Sequence, residues 1–352
     1  MKKVNFKSFV TGILLSFLTI FSFTACSDDN ESGSTAPPVI ERVAAGVDAD
    51  GQPIPLTPTT IGYANNTYFI QGSGFKTLKK VFFNDTDTAF NPNLVTDNTI
   101  IVTIDINTPY ANASNKLRVV TQYGEAEFDF TVAPPAPQIT SYTSINANAG
   151  DEFTIFGSFF LNPTVSVGGT QATIVSSSLT EIRAIMPANA QNQLVRVTTI
   201  SGFAEATQPV GTAIYDDQRA SFVENWLGPW DGSGYVEDAN IKSQGLSSIK
   251  VVFGAFVGFK FPMFASSPLT TGYSGIRVAV KSTKETGKFK VVLNGNYGAG
   301  KVIDFTSNWS TVVIPFSELG GDPGFVNEIV LQEFGNDGGD TIYIDDVGFV
   351  LD

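Results

Sequence analysis

Apolar and polar positions alternate in short runs along most of this chain, and glycine, asparagine and proline separate the runs. A period of two puts one face of a strand against a core and the other in solvent. Helix signals are nearly absent, so the pattern predicts an all-β protein. In the last third, strands are expected at 247–253, 275–280, 288–293, 309–316, 329–332 and 341–347, a jelly-roll pattern of sandwiched sheets.

Two earlier stretches repeat each other. Tyr68-Phe69-Ile70-Gln71-Gly72-Ser73-Gly74-Phe75 is answered by Phe153-Thr154-Ile155-Phe156-Gly157-Ser158-Phe159-Phe160, with Gly72 and Gly157 standing 85 positions apart. Both copies continue alike. Val81-Phe82-Phe83-Asn84 is answered by Val165-Ser166-Val167-Gly168, and Leu117-Arg118-Val119-Val120-Thr121 by Val195-Arg196-Val197-Thr198-Thr199. Strands and turns at this spacing predict two immunoglobulin-like sandwiches in tandem. The residues resemble IPT/TIG domains, whose hallmarks are an I-x-G-x-G-F turn, a V-x-F/V-x-G strand and a late V-x-V-T-x-x-G hairpin. Phe159 departs from that motif, standing where its second glycine would be. Pro134-Pro135-Ala136-Pro137 reads as a stiff joint between the copies. Neither copy clusters exposed aromatics or carboxylates, so a spacer role is expected for both.

The N-terminus changes the picture. Lys2, Lys3 and Lys7 precede an apolar stretch at 9–23, which is short for a membrane span. Phe23-Thr24-Ala25-Cys26 follows and resembles a lipobox, in which the cysteine carries the lipid. Cys26 is the only cysteine of the chain, so no intrachain disulfide can form. Each buried methylene of an acyl chain contributes about 0.8 kcal/mol, so several chains anchor durably. Residues 27–34 are acidic and small, a flexible tether. In Bacteroidota lipoproteins such a run resembles a surface-export signal, which implies an outer-membrane protein facing the exterior.

Candidate chemistry gathers in the last third, which holds all three tryptophans. Asn225-Trp226-Leu227-Gly228-Pro229-Trp230-Asp231-Gly232-Ser233-Gly234-Tyr235 carries glycine and proline at turn positions and reads as a loop. Indole rings in such a loop offer flat faces to sugar C–H groups and an N–H to a hydroxyl. The order S-x-x-I-K-V, W-x-x-x-x-I-P, I-x-L-Q and Y-I-D-D-V resembles a jelly-roll carbohydrate-binding module. With two IPT/TIG domains and a lipid cysteine ahead of it, the chain is similar to surface glycan-binding proteins of Bacteroidota polysaccharide-utilisation loci. That resemblance implies a sugar platform at Trp226 and Trp230, with Tyr297 as a further aromatic and Phe256 as a weaker one. Asp231, Asn294 and Asn296 are candidates for bonding sugar hydroxyls, as is Gln332, although all suit turns equally well. Trp309 is expected in the core. The resemblance also implies an outer-membrane glycan transporter complex as partner.

Composition narrows the function classes. The net charge of −13 repels phosphate backbones and argues against nucleic acid. A neutral polysaccharide fits better than an anionic one, with a β-glucan as the favoured choice. The chain has no histidine, which removes His-based triads and His-ligated zinc. Two carboxylates could still cleave a glycoside, but the E-x-D-x-x-E strand of jelly-roll laminarinases does not occur, and Glu224, Glu237, Glu318 and Glu333 are scattered. A glycoside hydrolase and a structural adhesin stay as alternatives to a non-catalytic binder. No cofactor is expected. Asp345 resembles a calcium-binding aspartate of some jelly rolls, with Glu224 as a partner, but two carboxylates do not make a calcium site.

The expected organisation is a signal peptide at 1–25, a tether at 26–36, IPT/TIG domains at 37–134 and 135–213, and a carbohydrate-binding jelly roll at 214–352. Cys26→Ser should release the protein from the membrane fraction; continued tight association on fractionation would defeat the lipoprotein reading.

Overall fold

A computed structural model of the protein describes residues 35–47, 52–335 and 338–352. The signal peptide, Cys26 and nearly all of the tether lie outside the described residues. The described chain is all-β, with short 3-10 turns as its helical pieces. No helix among the described residues is long and apolar enough to cross a membrane. The chain divides into two compact units, Met1–Pro135 and Ala136–Asp352.

The first unit is an immunoglobulin-like sandwich. One sheet runs Pro53–Pro58, Val39–Val47, Thr67–Ser73, Thr99–Thr103, and the other Thr86–Thr88, Leu78–Phe83, Lys116–Thr121, Gly124–Asp129. Ile70 and Ile100 from one sheet meet Val81, Phe83, Leu117 and Val119 from the other in its core. The second unit opens with a similar sandwich, in which the fourth strand of the first sheet lies on the opposite edge. Gln138–Thr143, Glu152–Ser158, Glu181–Ile185 and Thr173–Ser177 face Thr170–Gln171, Thr164–Val167, Val195–Thr199 and Gly202–Glu205.

The repeated glycines have one physical cause. Ile40 pairs with Gly72 beside a bulge, and Ile139 pairs with Gly157 beside an equivalent bulge. A Cβ on Gly72 would lie 1.9 Å from the Val39 carbonyl oxygen, and one on Gly157 would lie 1.9 Å from that of Gln138. No side chain fits at either place. The departure at Phe159 is a change of residue but not of backbone: Phe159 holds φ 63° where Gly74 holds φ 76°.

The rest of the second unit is a jelly-roll-type sandwich. Its long last strand, Asp340–Leu351, pairs with Ala213–Asp216, Ser248–Phe253 and Tyr273–Ser282, and Ser310–Pro315 extends that sheet. The facing sheet runs Gly228–Pro229, Gly258–Pro262, Glu328–Glu333, Gly287–Leu293, Lys301–Phe305. Phe253, Phe259, Phe261, Phe289, Leu331 and Ile344 fill the space between. Three strands of this facing sheet, Gly228–Pro229, Gly258–Pro262 and Lys301–Phe305, were not expected from the sequence. Trp309 is corrected: it is half-buried and lies outside the core, while Ile314, five residues on, is in it.

No linker separates the two sandwiches of the second unit. Ala213 belongs to one core and Ile214 to the next, so a single strand passes between them. Polar groups close the seam. The buried Arg277 donates from Nε to Asp346 Oδ1 at 3.1 Å, from Nη1 to the Phe349 carbonyl at 2.6 Å, and from Nη2 to Gln208 Oε1 at 3.2 Å. Ile145 N–H donates to Asp216 Oδ2 at 3.3 Å, and the Tyr142 hydroxyl donates to the Gln208 carbonyl at 2.8 Å.

Burial pushes the Asp345 carboxyl up to about 7, outweighing the N–H groups of Ser243, Gln244 and Asp346 that it accepts. Burial likewise lifts Asp346 to about 6 against the pull of Arg277, and it raises Asp216 with help from Asp217 and Asp346. A carboxyl whose folded pKa is raised stabilises fully below its unfolded value, and that contribution is lost as pH climbs through the folded pKa. The melting temperature of the second unit should therefore rise by roughly 5 °C or more between pH 8 and pH 5. Asp345→Asn should flatten that slope, as read by calorimetry; a melting temperature that falls on acidification would contradict it.

Candidate functional site

The outer face of the sheet through Gly258–Pro262 gathers the candidate chemistry. Phe259 and Phe261 point into the core, so Gly258 and Lys260 point out. The register sets rows across the strands. Gly258, Gln332, Lys290 and Val302 stand side by side, and Lys260, Val330 and Val292 form the next row. Val330 and Val292 are buried and form the floor of this face.

Trp230 lies over this floor. Its N–H donates to the Gly258 carbonyl at 3.1 Å. A Cβ on Gly258 would stand 2.4 Å from the indole Cζ3 and 2.7 Å from Val330 Cγ1. Glycine at 258 is thus what makes room for the ring. The loop reading of 225–235 is partly corrected, since Gly228–Pro229 is a short edge strand paired with Lys260 and Phe259. Trp226 lies at the other end of that edge, in a turn closed by Leu227 N–H to the Glu224 carbonyl at 3.3 Å. Its ring stacks near Phe264, with centroids 6.1 Å apart and planes at 8°. Glu224 ties the two turns together: its N–H donates to the Pro262 carbonyl at 2.8 Å, and its Oε1 accepts from Ala265 N–H at 3.0 Å. The Gly258–Pro262 strand between the two tryptophans spans about 13 Å.

The other candidates divide. Phe256 holds φ 59°, a region aromatic side chains seldom adopt. Two side chains fix it there: Glu333 Oε2 accepts its N–H at 2.8 Å, and Gln332 Nε2 donates to its carbonyl at 3.1 Å. Tyr297 sits in the 3-10 turn Tyr297–Ala299. Burial raises its hydroxyl pKa, with Glu328 raising it further and Lys260 lowering it, which puts the phenol in the field of that ion pair. Trp226 is 52 % exposed, Trp230 41 %, Phe256 45 % and Tyr297 38 %. Asn294 is engaged within its loop. Its Oδ1 accepts from Asn327 N–H at 2.8 Å and its Nδ2 donates to the Phe325 carbonyl at 2.9 Å, so its amide builds the loop. Asp231 Oδ1 accepts from Ser233 N–H at 3.0 Å, a turn contact that lowers its pKa. Asn296 is exposed beside Tyr297. Tyr235 packs edge-on against Phe259 at 5.4 Å and joins the core.

Sequence reasoning missed several residues here. Lys260 Nζ lies 2.8 Å from Glu328 Oε2 and 6.0 Å from the Trp230 ring centroid. Phe334, 39 % exposed, has Lys290 Nζ 5.3 Å from its ring. The alternation in Gly258-Phe259-Lys260-Phe261 was the signal that would have found Lys260. The carboxylates have settled partners: Glu328 holds Lys260, and Glu333 accepts the N–H groups of Phe256 and Gly335. Asp345 accepts backbone N–H groups, and Glu224 accepts that of Ala265. Among the described residues no three acidic, cysteine or histidine side chains are grouped to hold a metal.

Residues 137–210 match the family model described as IPT/TIG domain. An IPT/TIG domain-containing protein of Bacteroides ovatus is 29 % identical over 167 residues, which is 45 % of this chain and 32 % of that protein. The chain thus spans about a third of the length of this curated relative. Among solved structures, the surface glycan-binding protein PbSGBP-B from Prevotella bryantii aligns with a TM-score of 0.48 at 18 % identity, over 91 % of this chain and 99 % of that one. SGBP-B from a complex xyloglucan utilization locus in Bacteroides uniformis aligns with a TM-score of 0.37 at 17 % identity, over 90 % and 99 %. The protein therefore carries an IPT/TIG domain at 137–210, next to an aromatic-faced β-sandwich.

Proposed function

We propose that the protein is a non-catalytic, cell-surface glycan-binding protein that captures a neutral polysaccharide, with a β-glucan as its ligand, for delivery to an outer-membrane transporter. The observation that carries this reading is the outer face itself. Trp230, Phe256, Tyr297 and Phe334 stay solvent-exposed around a buried valine floor, although burying such rings would stabilise the fold. Sugars present flat C–H faces to rings and hydroxyls to polar groups. Gln332, Lys260 and Glu328 supply donors and an acceptor between the rings. The ion pairs Lys260–Glu328 and Lys288–Asp304 cancel most of the charge of the face, which suits a neutral ligand better than an anionic one.

A ring covering about 100 Å² of sugar contributes about 2.5 kcal/mol at 25 cal/mol per Å². Two or three rings give roughly 5–8 kcal/mol before the cost of association, so one site is weak and many anchored copies on one polymer retain it by avidity. No pair of unengaged carboxylates flanks the face among the described residues, which supports capture over cleavage. The two immunoglobulin-like sandwiches are read as spacers between a lipid anchor at Cys26 and this face.

Affinity electrophoresis of the chain in gels of mixed-linkage β-glucan, xyloglucan, laminarin and mannan tests the reading. Retention is expected in at least one β-glucan, and Trp230→Ala should weaken it about 10-fold or more. No retention on any gel would overturn the function, unchanged retention of Trp230→Ala would overturn the site, and release of reducing ends would overturn the non-catalytic reading. Phe256→Gly should cost less than about 1 kcal/mol of stability, because glycine adopts the same backbone without strain. The same change should weaken retention, and a loss of folding instead would show that the ring serves the core.

A further inference from the structure

A second concavity lies apart from the aromatic face, within the unit Ala136–Asp352. It is a cleft of about 920 Å³ where the turns of the second immunoglobulin-like sandwich meet the strands Ser310–Pro315 and Asp340–Leu351 of the jelly roll. We propose that this cleft is a second saccharide site, which takes a short neutral oligosaccharide edge-on through its hydroxyls. The proposal goes beyond the capture site, and it shares with it only the reading that the ligand is a glycan.

The base of the cleft is a built structure. Arg277 donates from its guanidinium to Asp346, Gln208, Thr212 and the Phe349 carbonyl. Gln208 also donates from Nε2 to Asp346, and its carbonyl is held by Tyr142. The walls are different. Asn192, Gln193, Thr207 and Thr311 line the cleft, and their side chains make no hydrogen bond to other described residues. Gln244 lines it too, and its Nε2 is shut off from bulk solvent without a partner. A buried donor left unpaired costs about 1–3 kcal/mol. Here exposed amides and hydroxyls stand around a fixed floor.

The chemistry of the lining selects the ligand. Arg277 is matched by Asp346, and Glu205 by Arg196 at 2.9 Å, so the cleft offers no net charge to an ion. Amide side chains carry a donor and an acceptor each, the pattern that reads a sugar hydroxyl, which is both at once. Val313 and Val350 provide an apolar strip for C–H groups. Phe349 is buried, so the cleft has no open ring to stack on a pyranose. The aromatic face therefore binds sugars by their faces, and the cleft binds them by their edges. The volume falls within the range of small-molecule sites and suits a few sugar rings or a chain end.

Native mass spectrometry of the full chain with cellohexaose, laminarihexaose, mannohexaose and a mixed-linkage β-glucan hexasaccharide tests this. Two ligands are expected on the wild type with at least one probe. Trp230→Ala with Tyr297→Ala should leave one, bound in the cleft. Gln193→Ala with Gln244→Met should also leave one, bound on the aromatic face, and so should Thr311→Trp, which fills the cleft from an exposed strand position. Thermal melting confirms that each variant is folded. A wild type that binds a single ligand, lost with Trp230 and Tyr297 and kept in both cleft variants, overturns the second site and leaves the capture site standing. Two ligands that persist in both cleft variants also overturn it. No binding of any probe overturns this site and the proposed function together.

Discussion

The aromatic face depends on the register of the strand Gly258–Pro262. Phe259 and Phe261 enter the core, where full burial of such a ring contributes about 1.5–3 kcal/mol. The Lys260–Glu328 ion pair on the other face is largely buried, so the cost of taking its charges out of water offsets much of its attraction. The core therefore decides the register and the outer face follows from it. A slip by one residue would carry the two rings into solvent and Lys260 into the core. It would also remove Gly258 from beneath Trp230, whose ring occupies the place of the missing side chain.

Around that strand, polar side chains fix loops that have no periodic structure of their own. Glu333 and Gln332 grip the backbone of Phe256 from both sides and keep its ring exposed in a strained conformation. Asn294 closes the loop before Tyr297 onto Asn327 and Phe325. Glu224 joins the turns that carry Trp226 and Phe264. Rings held this way lose little freedom when a ligand arrives, which lowers the entropic cost of binding. Glu333 and Gln332 lie far in sequence from Phe256, and Asn294 and Glu224 each join turns more than thirty residues apart.

The second unit joins its two sandwiches through continuous strand and buried charge. Replacing a flexible linker by the passage from Ala213 to Ile214 leaves no residue free to act as a hinge. Burying Asp345, Asp346 and Asp216 beside one arginine is costly for the ionised forms, and the raised pKa values record that cost. The same joint supplies the floor of the amide-lined cleft.

What the sequence by itself determined was the class of fold and the positions of its repeats. Alternating apolar residues announce strands because each strand buries one side. Gly72 and Gly157 announce the repeat because a carbonyl oxygen stands where their Cβ would be. Glycine and proline around Trp226 and Trp230 marked rings that would be exposed, since such a segment packs poorly. Tertiary structure decided the rest. Trp309 stands just before the strand Ser310–Pro315 and is only half-buried, because core membership depends on what covers the strand end. Asn294 resembled a ligand-binding amide until its loop partners, more than thirty residues away, were in place. Lys260, Glu328 and Phe334 form part of the face only because antiparallel pairing brings strands from distant parts of the chain into register. Short-range pattern fixes which side of a strand is buried, and only long-range pairing fixes which strands share that side.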